Sequence, residues 1–267
     1  MSKIDKIISF DIESDFGMFK KPDVNNPIYF TYNIISKPAL LGILGAIVGF
    51  GGYSQMQKGD DFPQFYKEFE DLLISVAPLE RRGVFQKRII KYNNTVGYAN
   101  KDGGTLNISE QTLINPSYRI YVALDLSKSS NQLIEKYLLA NKTENGYIPN
   151  YEYIPYMGKN EFKLDIKNIQ VFENLSHELD EVFAISTLFQ NRGKVALKLN
   201  EQERDPFDIS MSETYFYYFE RLPISFDELG QYQYENFSYT NAKFSKDSSF
   251  IQNLKLVKIC DSVICLY

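Results

Sequence analysis

Between Lys6 and Glu13 the chain alternates, with Ile8, Phe10 and Ile12 on one side and Ser9, Asp11 and Glu13 on the other, which predicts a strand. The turn FGMFKKP follows, carrying Lys20 and Lys21 beside Phe16 and Phe19. The period then changes. KPALLGILGAIVGFGGY reads as a helix opened by Pro38 and stopped by Gly51 and Gly52. Gly42, Gly45 and Gly49 each cost about 1 kcal/mol relative to alanine inside a helix, so either a neighbouring backbone or a ligand must approach that segment closely. From about Pro63, Phe65, Phe69, Leu72, Leu73 and Val76 recur at i, i+4, i+7, i+8 and i+11, which predicts a second helix.

From Ser75 onward the pattern turns β. Tyr118, Ile120, Val122, Leu124 and Leu126 alternate with Arg119, Tyr121, Ala123 and Asp125, another strand. Ser129 or Ser130 can cap a helix carrying Leu133, Ile134, Tyr137 and Leu138, and β signals return after Gly146, through Lys167 to Phe172. The first 175 residues therefore run β-α-β-β-α-β, the order of a ferredoxin-like (RRM-like) α+β domain. Between its second and third core strands lies a polar stretch, Arg81 to Pro116, too long for an ordinary hairpin loop and so expected to be functional. Residues 176–267 are expected to form a smaller, β-rich part packed on the first, because no Pro/Gly/Ser-rich linker separates the two. A helix is predicted near Leu179 to Leu188. ETYFYYFERLP and QYQYENFSYT, joined by ISFDELG, are expected to pair as a long hairpin, with Tyr215 to Phe219 buried.

Composition narrows the chemistry. With 44% hydrophobic and 24% charged residues in 267, the chain can bury a sizeable core. Two cysteines and one histidine rule out a zinc scaffold, and no cofactor is expected. Cys260 and Cys265 stand at C-x4-C, neither a metal knuckle nor a redox pair, and are expected as two buried free thiols of a reducing compartment. The start of the chain has no apolar signal region, and the longest apolar run, Pro38 to Phe50, is 13 residues against the roughly 20 of a membrane span. A soluble, cytoplasmic protein without a membrane partner is the expectation.

A net charge of −5 argues against coating nucleic acid over the whole surface, yet the charge is unevenly distributed. From Arg81 to Lys101 there are six basic residues (Arg81, Arg82, Lys87, Arg88, Lys91, Lys101) and no acid. Phe85, Tyr92 and Tyr98 are interleaved with them, as are the amides Asn93, Asn94 and Asn100. Basic groups neutralise phosphates, rings stack on splayed bases, and amides bond base edges and 2′-hydroxyls, a set that suits single-stranded RNA. A basic, solvated edge hairpin guarding against aggregation carries the same residues. In YIPYMGKNEF, Gly158, Lys159 and Asn160 can offer backbone amides and an ammonium to a phosphate, although such a turn is common. The glycines of KPALLGILGAIVGFGGY match neither a dinucleotide fingerprint nor a P-loop, and close packing explains them better. The lone His177, beside Glu178, Asp180 and Glu181 at an expected helix start, reads as a surface residue, and no catalytic constellation can be assembled.

Taken in order, several segments resemble one family, the CRISPR-associated RAMP proteins called Cas-five. They are the opening strand with FGMFKKP, TYNIISKPALLGILGAIVGFGGY, RIIKYNNT, PSYRIYVAL, YIPYMGKNEF (with Met157 where the family commonly has leucine), FERLPISFD and YENFSYT. The resemblance spans nearly the whole chain and looks most like the type I-B branch. It implies a ferredoxin-like RAMP domain with a protruding β-hairpin thumb at about 81–116 and a smaller C-terminal part. It also implies a non-catalytic Cascade subunit that caps the 5′ handle of the crRNA, touches the adjacent backbone subunit and the large subunit, and meets target DNA only through the complex. On that basis Lys20, Lys21, Arg81, Arg82, Lys87, Arg88, Lys91, Tyr92, Asn93, Gly158, Lys159 and Asn160 are the expected RNA contacts. One branch of the family cuts precursor crRNA without metal, using tyrosine, lysine and histidine. Here His177 falls outside every handle-facing motif, so metal-independent endoribonuclease activity stands as the alternative.

Overall fold

The computed structural model describes residues 3–22, 27–94, 106–191, 216–248 and 250–267. The main elements in chain order are β1 (Lys6–Glu13), α1 (Lys37–Val48), α2 (Gln64–Phe69), β2 (Leu73–Pro78), β3 (Lys87–Asn94), β4 (Leu106–Ile114) and β5 (Ser117–Leu124). They continue with α3 (Ser129–Leu138), β6 (Asp165–Phe172), β7 (Tyr217–Phe226), β8 (Tyr232–Thr240), β9 (Lys255–Ile259) and β10 (Ser262–Leu266). The architecture is mixed α+β, rich in strands. No described helix is long and apolar enough to cross a membrane.

A four-stranded antiparallel sheet, in the order β6-β1-β5-β2, forms the centre. Period-two alternation gives it two apolar faces. Ile8, Phe10 and Ile12 of β1 and Tyr118, Ile120 and Val122 of β5 pack into one cluster with Leu40, Leu41 and Leu44 of α1 and Ile134 and Leu138 of α3. Ile7, Tyr121 and Ala123 point the other way and are covered by Val257, Ile259, Ile264 and Leu266 of the β9–β10 hairpin. The reverse side of that hairpin, through Leu256, Val263 and Cys265, joins Phe183, Ile185, Phe189 and Phe244 in a separate small core.

The glycines of α1 serve packing. A Cβ on Gly45 would lie 2.4 Å from the Phe65 Cβ, so glycine lets α2 come against α1, and Gly49 ends the helix in the left-handed region at φ 86°.

Several expectations are corrected. The second helix stops at Phe69 rather than running to Val76. Leu73, Ile74 and Val76 belong to β2, where ladder pairing with Ala123, Val122 and Ile120 of β5 outweighs helical spacing. Lys128, not a serine, stands at the N-cap of α3, and the Ser130 hydroxyl donates to the Glu68 carbonyl at 3.4 Å. No helix forms at Leu179–Leu188. Val182–Ala184 pairs with Lys243–Ser245 and Phe189–Gln190 with β8, so Phe183, Ile185 and Phe189 alternate inward as strand residues do. His177 consequently lies exposed on an irregular segment, its Nδ1 3.3 Å from the Leu256 carbonyl oxygen.

ETYFYYFERLP and QYQYENFSYT do pair, as β7 and β8. The aromatic run is not buried, however: Phe219 is 71% exposed, because β7 is the outer strand of its sheet and Tyr218, Glu220 and Leu222 take the inward positions. Tyr215 lies outside the described residues. Of the two cysteines, Cys265 is buried, but Cys260 is exposed at the β9–β10 turn, where its φ is 50°.

Candidate nucleic-acid interface

The stretch between β2 and β5 folds into the hairpin β3–β4, paired from Lys87↔Leu113 to Asn94↔Leu106, while Tyr98, Asn100 and Lys101 lie outside the described residues. Its base is fastened by the N-terminal segment. Phe16–Gly17 pairs antiparallel with the start of the hairpin, at Ile114 and Leu113, and Ile28–Tyr29 pairs parallel with Ser109 and Glu110. Buried Asn33 adds a second tie: its Nδ2 donates to the Gly83 carbonyl at 2.6 Å and its Oδ1 accepts the Phe85 N–H at 2.9 Å. The Tyr118 hydroxyl closes the network by donating to the Asn33 carbonyl at 2.6 Å.

Where these pieces meet, a cavity of about 390 Å3 opens. Phe19–Lys20 pairs with Thr31–Tyr32 along one side, placing the Lys20 ammonium 3.7 Å from the centre of the Tyr29 ring. Tyr92 and Glu110 enter from the hairpin, and Gly158 and Lys159 from the loop before β6. Glycine is required at 158. Its φ is +85° and a Cβ would stand 1.9 Å from the Met18 carbonyl oxygen, beside the Met18 N–H bond to the Met157 carbonyl at 3.1 Å. The residue therefore locks the loop against the Phe16–Lys20 segment, a role beyond exposing amides to a ligand.

The charges are paired from below. Lys159 Nζ donates to Glu110 Oε1 at 2.7 Å and to the Tyr92 hydroxyl at 3.2 Å, and sits 4.8 Å from the Tyr92 ring centre. Partial burial pulls this ammonium down. The hydrogen bonds to Glu110 and Tyr92 outweigh that pull and hold it above the usual lysine range, so it remains a cation. Lys21 lies 3.4 Å from Glu220 and 4.9 Å from the centre of the Tyr32 ring. The buried Glu220 carboxylate also accepts the N–H groups of Asn33 and Ile34, each at 3.1 Å at the closest. Partial desolvation pulls the Lys87 ammonium below the usual lysine range, with the Glu220 charge opposing that pull.

Of the expected contacts, Lys20, Tyr92, Gly158 and Lys159 line the cavity and Lys21 borders it, whereas Lys87 is exposed at the start of β3, on the strand face opposite Tyr92. Arg88, Lys91 and Asn93 are exposed along the hairpin without lining it, with Lys91 and Asn93 on the face opposite Tyr92. Arg81 and Arg82 sit exposed in the turn at the base of the insertion, and Asn160 is exposed outside the cavity. Sequence reasoning missed Tyr29, Tyr32, Glu110, Glu220 and Tyr232. The signal for the first two was the aromatic cluster of IYFTY, with Tyr29, Phe30 and Tyr32 close together. For Glu110 it was an acid on an otherwise alternating strand.

No protein-family model matches the chain, and no curated protein does. Among solved structures, a Cas protein is similar at 12% identity and TM-score 0.34, over 58% of this chain and 57% of that one. A CRISPR protein from Archaeoglobus fulgidus is similar at 10% identity and TM-score 0.44, over 98% of each chain. A chain of a CRISPR RNA-guided surveillance complex is similar at 12% identity and TM-score 0.44, over 92% of this chain and 96% of that one.

Proposed function

We propose that this chain is a subunit of a CRISPR effector complex that holds the 5′ handle of the crRNA through the cavity between hairpin and core. The observation that carries the reading is the convergence of Lys20, Tyr92, Gly158 and Lys159, from three separate segments, on one cationic, aromatic-lined recess. Cations for phosphates beside rings for unpaired bases are what single-stranded RNA needs. The central order β6-β1-β5-β2 fits a ferredoxin-like RAMP domain over residues 1–175, β3–β4 fits the base of a thumb, and 176–267 is its appended C-terminal part. In this reading the chain is a cytoplasmic, non-catalytic member of a type I complex, closest to I-B. The exposed basic residues Arg88 and Lys91 reach RNA or the neighbouring backbone subunit, and target DNA meets the chain only within the assembly.

The test is binding of repeat-derived handle RNA at two salt concentrations. Salt-sensitive binding that falls at least tenfold in Lys20→Glu/Lys159→Glu supports the reading. Unaltered binding by that variant, or salt-independent binding by the wild type, overturns it. Reversing Lys87, Arg88 and Lys91 to glutamate is likewise expected to block crRNA-dependent assembly of a folded chain.

One observation favours metal-independent cleavage of precursor crRNA as a second reading: the 3.2 Å contact of Lys159 with the Tyr92 hydroxyl. Glu110 keeps that lysine protonated, which suits phosphate binding better than proton abstraction. Repeat RNA left intact in EDTA removes the second reading.

A further inference from the structure

A second depression, of about 660 Å3, adjoins the first and shares Phe19, Ala39, Gly158 and Tyr232 with it. Its floor is the face of α1 that carries Gly42 and Ala46. The absence of side-chain bulk there leaves room above the helix, since a Cβ on Gly42 would meet only the Phe65 ring, at 3.8 Å. Tyr53 and Phe65 stand on one side in edge-to-face contact, with ring centres 6.0 Å apart. Tyr153, Ile154 and Tyr156 stand on another. That wall is fixed, because the N–H groups of Glu152 and Tyr153 donate to the Ile47 and Ala46 carbonyls at the end of α1, at 3.0 and 3.1 Å.

Two features ask for an occupant. Tyr53 is 61% exposed and Tyr153 57%, so folding leaves their rings facing water. Among the described residues, no lysine, arginine, aspartate or glutamate lines the depression, although its neighbour holds Lys20, Lys159 and Glu110. A cationic recess running into an uncharged, tyrosine-walled one matches the two halves of a nucleotide, whose phosphate carries the charge and whose base carries the flat apolar face. Continuity between the recesses favours the same strand over a separate protein segment. We infer that this groove is a base-binding subsite, in which unpaired bases of the RNA held in the cradle stack on Tyr53 and Tyr153. The inference rests on the RNA-binding reading.

The test uses the full chain and single-stranded handle RNA carrying 2-aminopurine at one position at a time. Wild-type protein is expected to quench or shift the fluorescence at one or two positions. Tyr53→Leu and Tyr153→Leu, both at largely exposed sites, are expected to abolish that signal and weaken binding about tenfold. The salt slope should stay unchanged, because stacking releases no counterions. Lys159→Glu should instead lower the slope. If wild-type protein binds, Lys159→Glu weakens it and both tyrosine variants keep wild-type affinity and fluorescence, the groove is not a base site while the RNA reading stands. If wild-type protein shows no salt-sensitive binding, the RNA reading falls and the subsite with it.

Discussion

Gly158→Ala separates two costs that a glycine substitution usually confounds. A left-handed backbone costs a non-glycine residue about 1–2 kcal/mol by itself. Gly230 offers that cost alone, with φ at +73° and nothing within 4 Å of the added Cβ. Gly158 has nearly the same backbone, at +85°, but its Cβ would lie 1.9 Å from the Met18 carbonyl oxygen and 2.8 Å from the carbonyl carbon. Backbone cannot swing aside as a side chain can. Relief therefore requires the loop to withdraw from Met18, endangering the Met18 N–H bond to Met157, worth about 0.5–1.5 kcal/mol, and the neighbouring Phe19–Tyr32 pairing. Gly230→Ala is expected to lose about 1 kcal/mol and Gly158→Ala about 3 or more, read from urea midpoints at constant slope. Withdrawal also moves Lys159 away from Glu110 and Tyr92, so affinity for handle RNA should fall in Gly158→Ala and stay unchanged in Gly230→Ala. Equal destabilisation by the two would refute the close approach as the reason for glycine at 158.

Lys37 is buried at the start of α1, its ammonium 3.4 Å from the Tyr267 carbonyl oxygen, and burial lowers it from 10.5 to about 8. Below pH 8 the folded chain bears the full cost of a desolvated cation. Between about 8 and 10.5 the folded chain releases the proton that the unfolded chain keeps, so stability rises by up to about 3 kcal/mol. Lys37→Met should therefore be the more stable protein at pH 7, with an advantage that shrinks toward pH 10 in denaturation midpoints. Asn33→Ala strands the Gly83 carbonyl and the Phe85 N–H in the interior and should cost about 2–4 kcal/mol, measured by thermal or urea unfolding. Phe219→Ser, on the outer side of β7, should stay within about 0.5 kcal/mol of wild type in the same assay.

Elements whose burial repeats at one period were legible. In β1 and β5 Ile8, Phe10, Ile12, Tyr118, Ile120 and Val122 face the helices while Ile7, Tyr121 and Ala123 meet the β9–β10 hairpin, and the alternation survives in the sequence. The α2–β2 junction was not, because Phe65, Phe69, Leu72 and Val76 satisfy a helical spacing while only some of them lie on the helix. What decided it was the hydrogen-bonding edge that β5 presents to Leu73–Pro78, a tertiary effect. Residues 176–191 were misread for a similar reason: their partners, β8 and Lys243–Ser245, come much later in the chain. At the site, Lys20 and Lys159 stood out in the turns FGMFKKP and YIPYMGKNEF, whereas the basic run from Arg81 to Lys101 contributes, among the described residues, Tyr92 but no cation to the lining. The counter-ions of the lysines did not stand out. Glu110 lies 49 residues before Lys159, and Glu220 lies 187 residues after the Asn33 N–H it accepts, separations at which nothing local signals a pair.

The β9–β10 hairpin has a consequence for how this molecule can change over time. With helices on one face of the central sheet and this hairpin over much of the other, the sheet has little surface left to offer a large ligand. In the proposed reading, recognition falls to the rim, onto turns and strand ends such as Phe16–Lys20, Ile28–Tyr32 and the Gly158 loop. The outward rim side chains, such as Lys20 and Tyr29, are replaced without repacking the interior, whereas Phe19 and Tyr32 in the core and Gly158 against Met18 are tied to their neighbours. A lineage of such chains can follow drift in its ligand by exchanging loop residues while the scaffold stays constant, and its members should diverge first at the rim and last beneath the hairpin.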